Sequence, residues 1–548
     1  MELTRARGRS GVVIAWLAAA AVGCGGGSTA SRTTNGQAGV AANAPTVSMP
    51  DQVRGQLLEG AIAVLGRLDD FDETAAYAQV FDRINQWSHA GPAGPEWTAD
   101  PLVASLPARF APLVDEKSLA GSVFESPGDV FHLRDQRWMR DLAMSVRGDA
   151  VDDLAVAEAI FRWTTRALAS VADPPSSPSE SNPGSRWFLP GELLLAGRGS
   201  GPQRAWVFLE ILRHAGIDGV MLATCDPASG DVRPWIPAVV TAGEAYLFDT
   251  GYGIAIPSPD GTGIATARIA ATDPSVLAGM DVPGREYPVK ADALKHLAVL
   301  VSASPEVLSR RMKQVESNLS GSHSMRLCVD ASGLAARAVA SLPQGSAAAE
   351  QSRLWEFPFE TLLARRSSRR PAIDRAAAME LATMQITVFD PGDGERAVRR
   401  EIRPLFTGKL REFRGDLDGP NGAKAAYLLA RPSSARIREL VAKVPPQQAE
   451  VVRRLYEQLK QDAAYALGLV MLREGQFEAA ADYLGRMTLE AHPDSRWADA
   501  ARVALADAVA ALGRIDEARK LLEADESPQR FGSRLRAERL TDQAAERR

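Results

Sequence analysis

Two stretches near the carboxyl end of the chain repeat one arrangement of small, apolar and charged residues. The first reads Leu-Arg-Glu-Gly-Gln-Phe-Glu-Ala-Ala from Leu472, and the second reads Ala-Leu-Gly-Arg-Ile-Asp-Glu-Ala-Arg from Ala511. In each stretch a glycine ends one helix and an apolar residue begins the next, while Ala480 and Ala518 allow two helices to approach closely. Repeated helical pairs predict a stack in which each pair buries its apolar face against its neighbours.

This pattern resembles the tetratricopeptide repeat, including Pro493 after the second helix of the first unit. The spacing between Gly475 and Gly513 exceeds the usual repeat of about 34 residues by a few, which predicts a lengthened loop. Because about three repeats are needed for a stable stack, we expect helices over 435–444 and 447–462 to precede the units and a charged cap over 531–547. The resemblance implies a protein-binding surface on residues 433–548. The alternative is a plain helical bundle.

The amino terminus has the pattern of an export signal. Arg5, Arg7 and Arg9 precede an apolar run over 11–22, which is too short to cross a hydrocarbon core of about 30 Å. The run ends in Ala-Val-Gly-Cys at Cys24, a sequence that resembles a bacterial lipobox. The resemblance implies that residues 1–23 are removed as a lipoprotein signal peptide and that Cys24 is lipidated. The alternative is an ordinary secretory signal with an incidental cysteine.

The composition behind Cys24 bears on how the body is attached to a membrane. Residues 24–50 are rich in Gly, Ser, Thr, Ala and Asn, which predicts a flexible tether. The whole chain has a net charge of -5 with scattered basic residues, so we expect no nucleic-acid partner. We therefore predict an exported protein held by its lipid at the outer membrane or the periplasmic face.

Periodicity divides the rest of the chain into further segments. We expect a helical region over 51–188, because apolar residues recur at three- and four-residue spacing over 53–68, 74–87, 134–146 and 152–168. A helix over 202–215 precedes strands predicted over 220–224, 236–240 and 245–248, an α+β arrangement. For 286–432 we expect a mixed α/β region with a helix over 291–318, strands over 325–329 and 354–359, and partial helix over 371–431.

The central stretch, Gly-Ser-Gly-Pro-Gln-Arg-Ala-Trp from Gly199, resembles the core of the transglutaminase-like superfamily, which is related to papain-type cysteine proteases. Ala205, Arg213, Gly216 and Ile217 fall at matching positions. The family's later segments correspond to 233–235 and 248–251. The resemblance implies a transglutaminase-like domain over 189–285. The expected fold class is therefore multi-domain: an α+β transglutaminase-like core, flanking helical regions and a carboxyl-terminal α-helical repeat domain.

The departures from this family exclude its chemistry. The position of the nucleophilic cysteine is Gly201, the position of the general base is Arg233, and only the orienting carboxylate, Asp249, remains. Thiol acyl transfer needs a thiolate and an imidazole beside it. Glycine has no side chain, and arginine stays protonated at neutral pH. We therefore expect no catalytic residues and interpret the domain as a pseudoenzyme.

Few residues remain as candidates for other roles. Arg198 and Arg204, at the amino end of the 202–215 helix, are predicted to attract an anion or a peptide carboxylate. Cys225 and Cys328 either form a disulfide or stay free as buried residues, and burial is the favoured interpretation. Because no Cys/His cluster has metal spacing, we expect neither a metal nor a cofactor.

Three hypotheses of function follow. The first is a membrane-anchored, non-enzymatic lipoprotein that binds a protein partner through its helical repeats and acts as a scaffold. The second is an envelope cysteine or serine hydrolase or acyltransferase with a non-standard site within 290–432. The third is a periplasmic assembly factor recognised through the repeats alone.

Overall fold

The computed structural model describes residues 51–91, 95–124, 127–174, 184–344, 351–390 and 400–546. The predicted signal peptide, Cys24 and the predicted tether lie outside these ranges. Among the described residues, no helix is both long enough and apolar enough to span a bilayer.

The amino-terminal part of the described chain is helical, as predicted. Its helices are α1 (Asp51–Leu65), α2 (Glu73–His89), α3 (Glu116–Ala120), α4 (Pro127–Val146) and α5 (Asp153–Ala167). Aspartates cap three of the helix starts: Asp72 accepts the N–H of Ala75 at 2.9 Å, and Asp115 and Asp152 accept the N–H groups of Ser118 and Ala155 at 3.0 Å. The apolar faces of these helices enter a core that also holds the indoles of Trp87 and Trp138.

A six-stranded sheet follows. The elements of this part of the chain, in order, are β1 (Ala169–Ser170), α6 (Pro190–Ala196), β2 (Arg198–Gly199), α7 (Gly201–Ala215), β3 (Asp218–Cys225), β4 (Val232–Thr241), β5 (Glu244–Asp249), β6 (Ile254–Ala255), α8 (Ala267–Thr272), α9 (Ser275–Ala278), β7 (Leu297–Val301), α10 (Arg310–Asn318), α11 (Ala331–Ala340), β8 (Arg353–Leu354) and α12 (Glu356–Arg365). The strand order is β6-β5-β4-β3-β7-β8, and β1 pairs separately with β2. All pairs in the six-stranded sheet are antiparallel except β7 with β8.

Both faces of this sheet are buried. Along β3, Met221 and Ala223 enter the core shared with α7, while Val220 and Leu222 enter a second core on the opposite face. This alternation is the period-two pattern of a strand covered on both sides. The predicted order of a helix followed by antiparallel strands is confirmed for α7, β3, β4 and β5.

The structure corrects three predictions in 286–359. The helix expected over 291–318 forms as a 3-10 helix at Ala291–Lys295 and as an α-helix at Arg310–Asn318, and 297–301 is instead the fully buried strand β7. A short apolar run fits a buried strand as well as a helix, and the neighbouring strand β3 selects the strand. The segment 354–359 enters α12 at Glu356. Residues 325–329 form no strand, because the N–H groups of Leu327 and Cys328 bind the carboxylate of Glu316.

The next part of the chain is mostly helical. It contains α13 (Arg370–Glu380), β9 (Val388–Asp390), β10 (Arg400–Ile402), α14 (Pro404–Arg414) and α15 (Ala423–Leu429). One continuous apolar core includes side chains from all four predicted segments, among them Leu58, Phe208, Leu410 and Leu467. The segments therefore share one core. Their predicted boundaries at 188, 285 and 432 stay predictions.

The carboxyl-terminal region is a set of helical pairs: α16 (Ser434–Val441), α17 (Pro446–Arg473), α18 (Phe477–Ala481), α19 (Ala498–Ala511), α20 (Ile515–Glu523) and α21 (Arg530–Glu546). The helix expected over 447–462 does not end there. It continues through Gly468 to Arg473 and ends before Gly475, whose positive φ of 72° breaks the helix.

The second helix of the first unit changes its winding part-way. After α18 the chain continues as a π-helix over Asp482–Glu490, in which Thr488 Oγ1 donates to the carbonyl of Tyr483 at 2.8 Å. A π-helical turn takes up more residues than an α-helical one. The lengthened spacing between Gly475 and Gly513 therefore lies partly in this helix and partly in the following loop.

Candidate functional site

The amino end of α7 lies against the turn that follows β5. The hydroxyl of Thr250 donates to the carbonyl of Gly201 at 3.0 Å. A Cβ atom on Gly201 would meet only backbone atoms of Gly251, the nearer at 3.5 Å, an ordinary van der Waals distance. The glycine is therefore not imposed by lack of space, and the structure brings Gly201 close to Asp249.

The carboxylate of Asp249 is buried and its oxygens are occupied. Oδ1 accepts the N–H groups of Gly251 and Tyr252, both at 2.8 Å. Oδ2 accepts the hydroxyl of Tyr287 at 2.7 Å, and that hydroxyl accepts the indole N–H of Trp235 at 3.1 Å. Burial raises the pKa of Asp249, although these hydrogen bonds act in the opposite direction. Asp249 thus holds the Tyr287 side chain and the turn after β5 in place.

Arg233 is not part of this group. It lies exposed on β4, paired in register with Thr224 of β3. Within the described ranges, no hydrogen bond or ion pair joins Arg233 to Gly201 or Asp249. The structure instead places Trp235 and Tyr287 beside the carboxylate. Trp235 belongs to the motif segment, whereas Tyr287 follows 38 residues after Asp249 in an irregular stretch, so no sequence pattern connects the two.

The last helix packs on the same turn. A Cβ on Gly532 would lie 1.9 Å from the carbonyl oxygen of Tyr252, so the two backbones are in direct contact. The rings of Phe531 and Tyr252 have centroids 5.8 Å apart. Leu535, one helical turn after Phe531, enters the core on the sheet face opposite α7. The carboxyl-terminal helix thus covers the turn next to Asp249.

Neither described cysteine is an activated thiol. Cys225 is buried, Cys328 is half-buried and both are free, which confirms the favoured interpretation. Burial raises the pKa of Cys225, and burial together with Glu316 raises the pKa of Cys328 to about 12. A nucleophilic thiol needs a lowered pKa. Among the described residues there is also no group of His, Cys, Asp and Glu that could hold a metal ion.

The two arginines predicted to attract an anion have internal surroundings. Arg204 is fully buried, its Nη2 donates to the carbonyl of Thr165 at 3.0 Å, and burial lowers its pKa to about 10. Arg198 pairs with Glu380 at 3.5 Å. Neither arginine therefore presents an open cationic surface at the amino end of α7.

A groove lies between α5 and the carboxyl-terminal helices. One cavity of about 350 Å³ is lined by side chains of α5, α19 and α21, including Arg162, Asp507 and Arg539. A second cavity of about 460 Å³ lies between α5, α17 and α19. The two cavities share Arg162, Arg166 and Asp507, so they adjoin along α5. No sequence pattern predicts this groove, because residues on its two walls, such as Arg166 and Tyr465, are 299 positions apart in the chain.

The helices on the far side of this groove match a known family. Residues 471–536, from the end of α17 to the first turns of α21, match the tetratricopeptide repeat. This segment is a tetratricopeptide-like repeat. Its first helices, α17 and α19, line the groove together with Phe477 at the start of α18, whereas no residue of α20 lines either cavity. Neither the curated proteins nor the solved structures contain a match to the chain.

The match confirms the predicted repeat and the helical carboxyl-terminal region. Ala480 and Ala518, the small residues of the two units, are fully buried between helices, as the tetratricopeptide repeat requires. Gly468 of α17 lies so close to Leu484 that a Cβ would meet its side chain at 2.6 Å. The two helices are therefore closely packed at this point.

Proposed function

We propose that this protein is a membrane-anchored envelope lipoprotein that binds a protein partner in the groove between α5 and the tetratricopeptide repeat. Tetratricopeptide repeats generally mediate protein interactions, and stacked helical repeats offer extended concave surfaces. The observation that carries the proposal is the pair of adjoining cavities, which leaves the first helices of the repeat accessible.

The rest of the body acts as a scaffold in this proposal. We interpret 189–285 as a catalytically degenerate transglutaminase-like domain, since α7, the antiparallel strands after it and the closeness of Gly201 to Asp249 fit that family's arrangement. No thiol or imidazole is found among the described residues beside Asp249. The domain then positions α5, one wall of the groove, opposite the repeat.

The membrane anchor rests on the amino terminus. Residues 1–23 carry three arginines and one glutamate, so their removal leaves a more acidic body that anionic lipid does not attract. Attachment would come from the lipid on Cys24. The sequence 24–50 would hold the groove some distance from the bilayer surface.

A site-specific crosslinking experiment tests the proposal. The full chain, with its own leader, is produced in bacterial cells with p-benzoylphenylalanine at Arg162, whose side chain lines both cavities and is 59% exposed. The matched control carries the same group at Arg519 on α20, which lines neither cavity and is 39% exposed. We expect a discrete protein adduct from position 162 only.

A second variant, in which a larger side chain fills the groove, tests whether the adduct forms by binding at this site. Ala500 lines the first cavity and is partly exposed, so Ala500→Trp would occupy space there without burying a polar group. The position-162 adduct should disappear in this variant while the folded fraction is unchanged. Equal adducts from both positions would contradict the assignment of partner binding to the groove. An adduct that still forms in Ala500→Trp would contradict it as well. Amide or ester hydrolysis by the same purified chain would favour the envelope hydrolase instead.

A further inference from the structure

The cavity between α5, α19 and α21 has an excess of positive charge. Four guanidinium groups and two carboxylates line it, namely Arg162, Arg166, Arg536, Arg539, Glu158 and Asp507. Arginine is the side chain best suited to hold a carboxylate, because its fork of N–H donors matches the two oxygens. The composition of the wall therefore indicates an anionic ligand.

One of the two carboxylates is already neutralised by two of the arginines. Arg166 Nε donates to Asp507 Oδ2 at 2.8 Å, and Arg536 pairs with Asp507 Oδ1. Burial raises the pKa of Asp507, but Arg536 and Arg166 outweigh this effect and the net shift is downward. Asp507 is thus ionised at neutral pH and balances part of the charge of this pair.

The other two arginines have weak counter-charges or none. Arg162 and its nearest carboxylate, Glu158, are 4.0 Å apart and both solvent-exposed, so the pair contributes little. Of the side chains that the structure describes, no carboxylate lies within ion-pair distance of Arg539. Burial and the nearby charge of Arg536 lower the pKa of Arg539, and the opposite effect of Glu538 does not outweigh them. The fold thus holds Arg539 charged against its own surroundings, as is common at binding sites.

The remaining wall of the cavity is mainly apolar, and its uncharged polar side chains are those of Thr165, Ser170, Tyr465, Ser527 and Gln529. Phe161, Phe248, Ile254 and Val503 line it together with alanines of α19. A volume of about 350 Å³ lies within the range of small-ligand pockets, roughly 300–1,000 Å³. A hydrated dianion such as phosphate would gain no free energy from the apolar part of the wall. A ligand with an apolar body and one carboxylate would bury apolar surface there and would also pair with the arginines.

We propose that this cavity binds an organic carboxylate, with an apolar body against Phe161 and Val503 and a carboxylate held by Arg539 and Arg162. The carboxylate is that of a free acid or of the carboxyl end of a chain with an apolar last residue. The site does not depend on the proposed function, because a free acid would bind even if the repeat had no protein partner.

Titration of the purified full chain with matched ligands tests the chemistry. Octanoate and octanol share an apolar body and differ in the charged group, and inorganic phosphate supplies an anion without the body. We expect octanoate to bind and to raise the unfolding temperature, with octanol and phosphate at least about tenfold weaker, the ratio typical of a lost charged hydrogen bond. Equal binding of octanol, or no binding of octanoate, would overturn the proposal.

A pair of variants tests the assignment to this cavity. Arg539→Gln should weaken the binding of octanoate by at least about tenfold. Arg539→Lys, which keeps the positive charge, should bind octanoate more tightly than Arg539→Gln does. Arg519→Gln, on α20 away from the cavity, should leave it unchanged. Because Arg539 is charged against its surroundings, Arg539→Gln should not lower the unfolding temperature, so a loss of binding would not reflect misfolding. Equal octanoate affinity in wild type and Arg539→Gln would contradict the assignment of the carboxylate site to this cavity.

A peptide separates the two sources of the carboxylate. Acetyl-Ala-Ala-Leu with a free carboxyl end is compared with its amide. Tighter binding of the acid, lost in Arg539→Gln, assigns the site to the end of a protein chain. Binding of octanoate but not of this peptide keeps the carboxylate site and assigns it to a free acid. That second result leaves the proposed protein partner to the crosslinking test alone.

Discussion

The hydroxyl of Tyr287 donates a 2.7 Å hydrogen bond to Oδ2 of the buried carboxylate of Asp249. In enzymes that pair a carboxylate with an imidazole, the carboxylate accepts the imidazole N–H and so orients the base. Here the phenol of Tyr287 occupies that carboxylate oxygen instead, and burial raises the pKa of Tyr287 well above its usual value of 10. The hydroxyl stays protonated and cannot serve as a base, so the contact is structural.

Tyr287→Phe should destabilise the protein because it leaves two buried partners, Asp249 Oδ2 and Trp235 Nε1, without this hydroxyl. We expect a loss of about 1–3 kcal/mol in the free energy of unfolding. Denaturant unfolding at pH 8 measures it. Tyr246→Phe is the control, because the hydroxyl of Tyr246 makes no hydrogen bond to a described residue, and it should change stability by less than about 0.5 kcal/mol.

The same variant should show a pH dependence. Because burial raises the pKa of Asp249 in the folded state, the folded protein binds this proton more tightly than the unfolded chain, and Asp249 lowers stability as pH rises above the unfolded value of 3.8. Removal of the Tyr287 donor raises this pKa further. The destabilisation by Tyr287→Phe should therefore be smaller near pH 4.5 than at pH 8. A destabilisation that does not change with pH would show that Asp249 is not ionised in the fold.

Two glycines should respond very differently to alanine. A Cβ at Gly532 would lie 1.9 Å from the Tyr252 carbonyl oxygen, whereas a Cβ at Gly201 meets its nearest atom at 3.5 Å. Gly532→Ala must push α21 off the turn and should lower stability by more than about 2 kcal/mol. Gly201→Ala should change it by less than about 1 kcal/mol. Equal effects in denaturant unfolding would contradict the close contact.

Asp462 joins the repeat to the body and should be sensitive to removal. Its carboxylate accepts Thr383 Oγ1, Arg496 Nη2 and Trp497 Nε1, each at 2.7 Å. Asp462→Ala removes this shared acceptor, although Arg496 keeps its ion pair with Glu380 at 3.0 Å. We expect a cost of about 1.5–3 kcal/mol, the value of a lost hydrogen bond to a charged group. Asp499→Ala, which removes a half-exposed pair with Arg502, should cost at most about 1 kcal/mol. Thermal unfolding of the two variants side by side measures the difference.

The lipid anchor is tested by a single atom change. Cys24→Ser removes the thiol that would be alkylated, so the chain should leave the membrane fraction and lose the mass of the lipid. Cys328→Ser, at a free cysteine within the body, should remain membrane-bound. Mass spectrometry of both fractions reports the outcome. Retention of Cys24→Ser in the membrane at wild-type level would exclude the lipidated cysteine as the anchor.

Local chemistry in the sequence determined the parts of the fold that are repeated or periodic. Gly475 and Gly513 break helices, Ala480 and Ala518 accept neighbouring helices, and the pattern of 202–248 specifies a helix and three strands. These features act within a few residues of one another. For that reason they can be read without knowing what packs around them.

Tertiary structure decided the rest. Whether 297–301 is a helix or a strand depends on β3, which supplies the hydrogen bonds. Tyr287 reaches Asp249 only because the chain returns to β5, and Arg539 and Arg162 line one cavity only because the tertiary fold brings α21 and α5 to it. Such contacts join residues tens to hundreds of positions apart, and no local period encodes them. The repeat was therefore predictable from the sequence, whereas the charged cavity beside it was not.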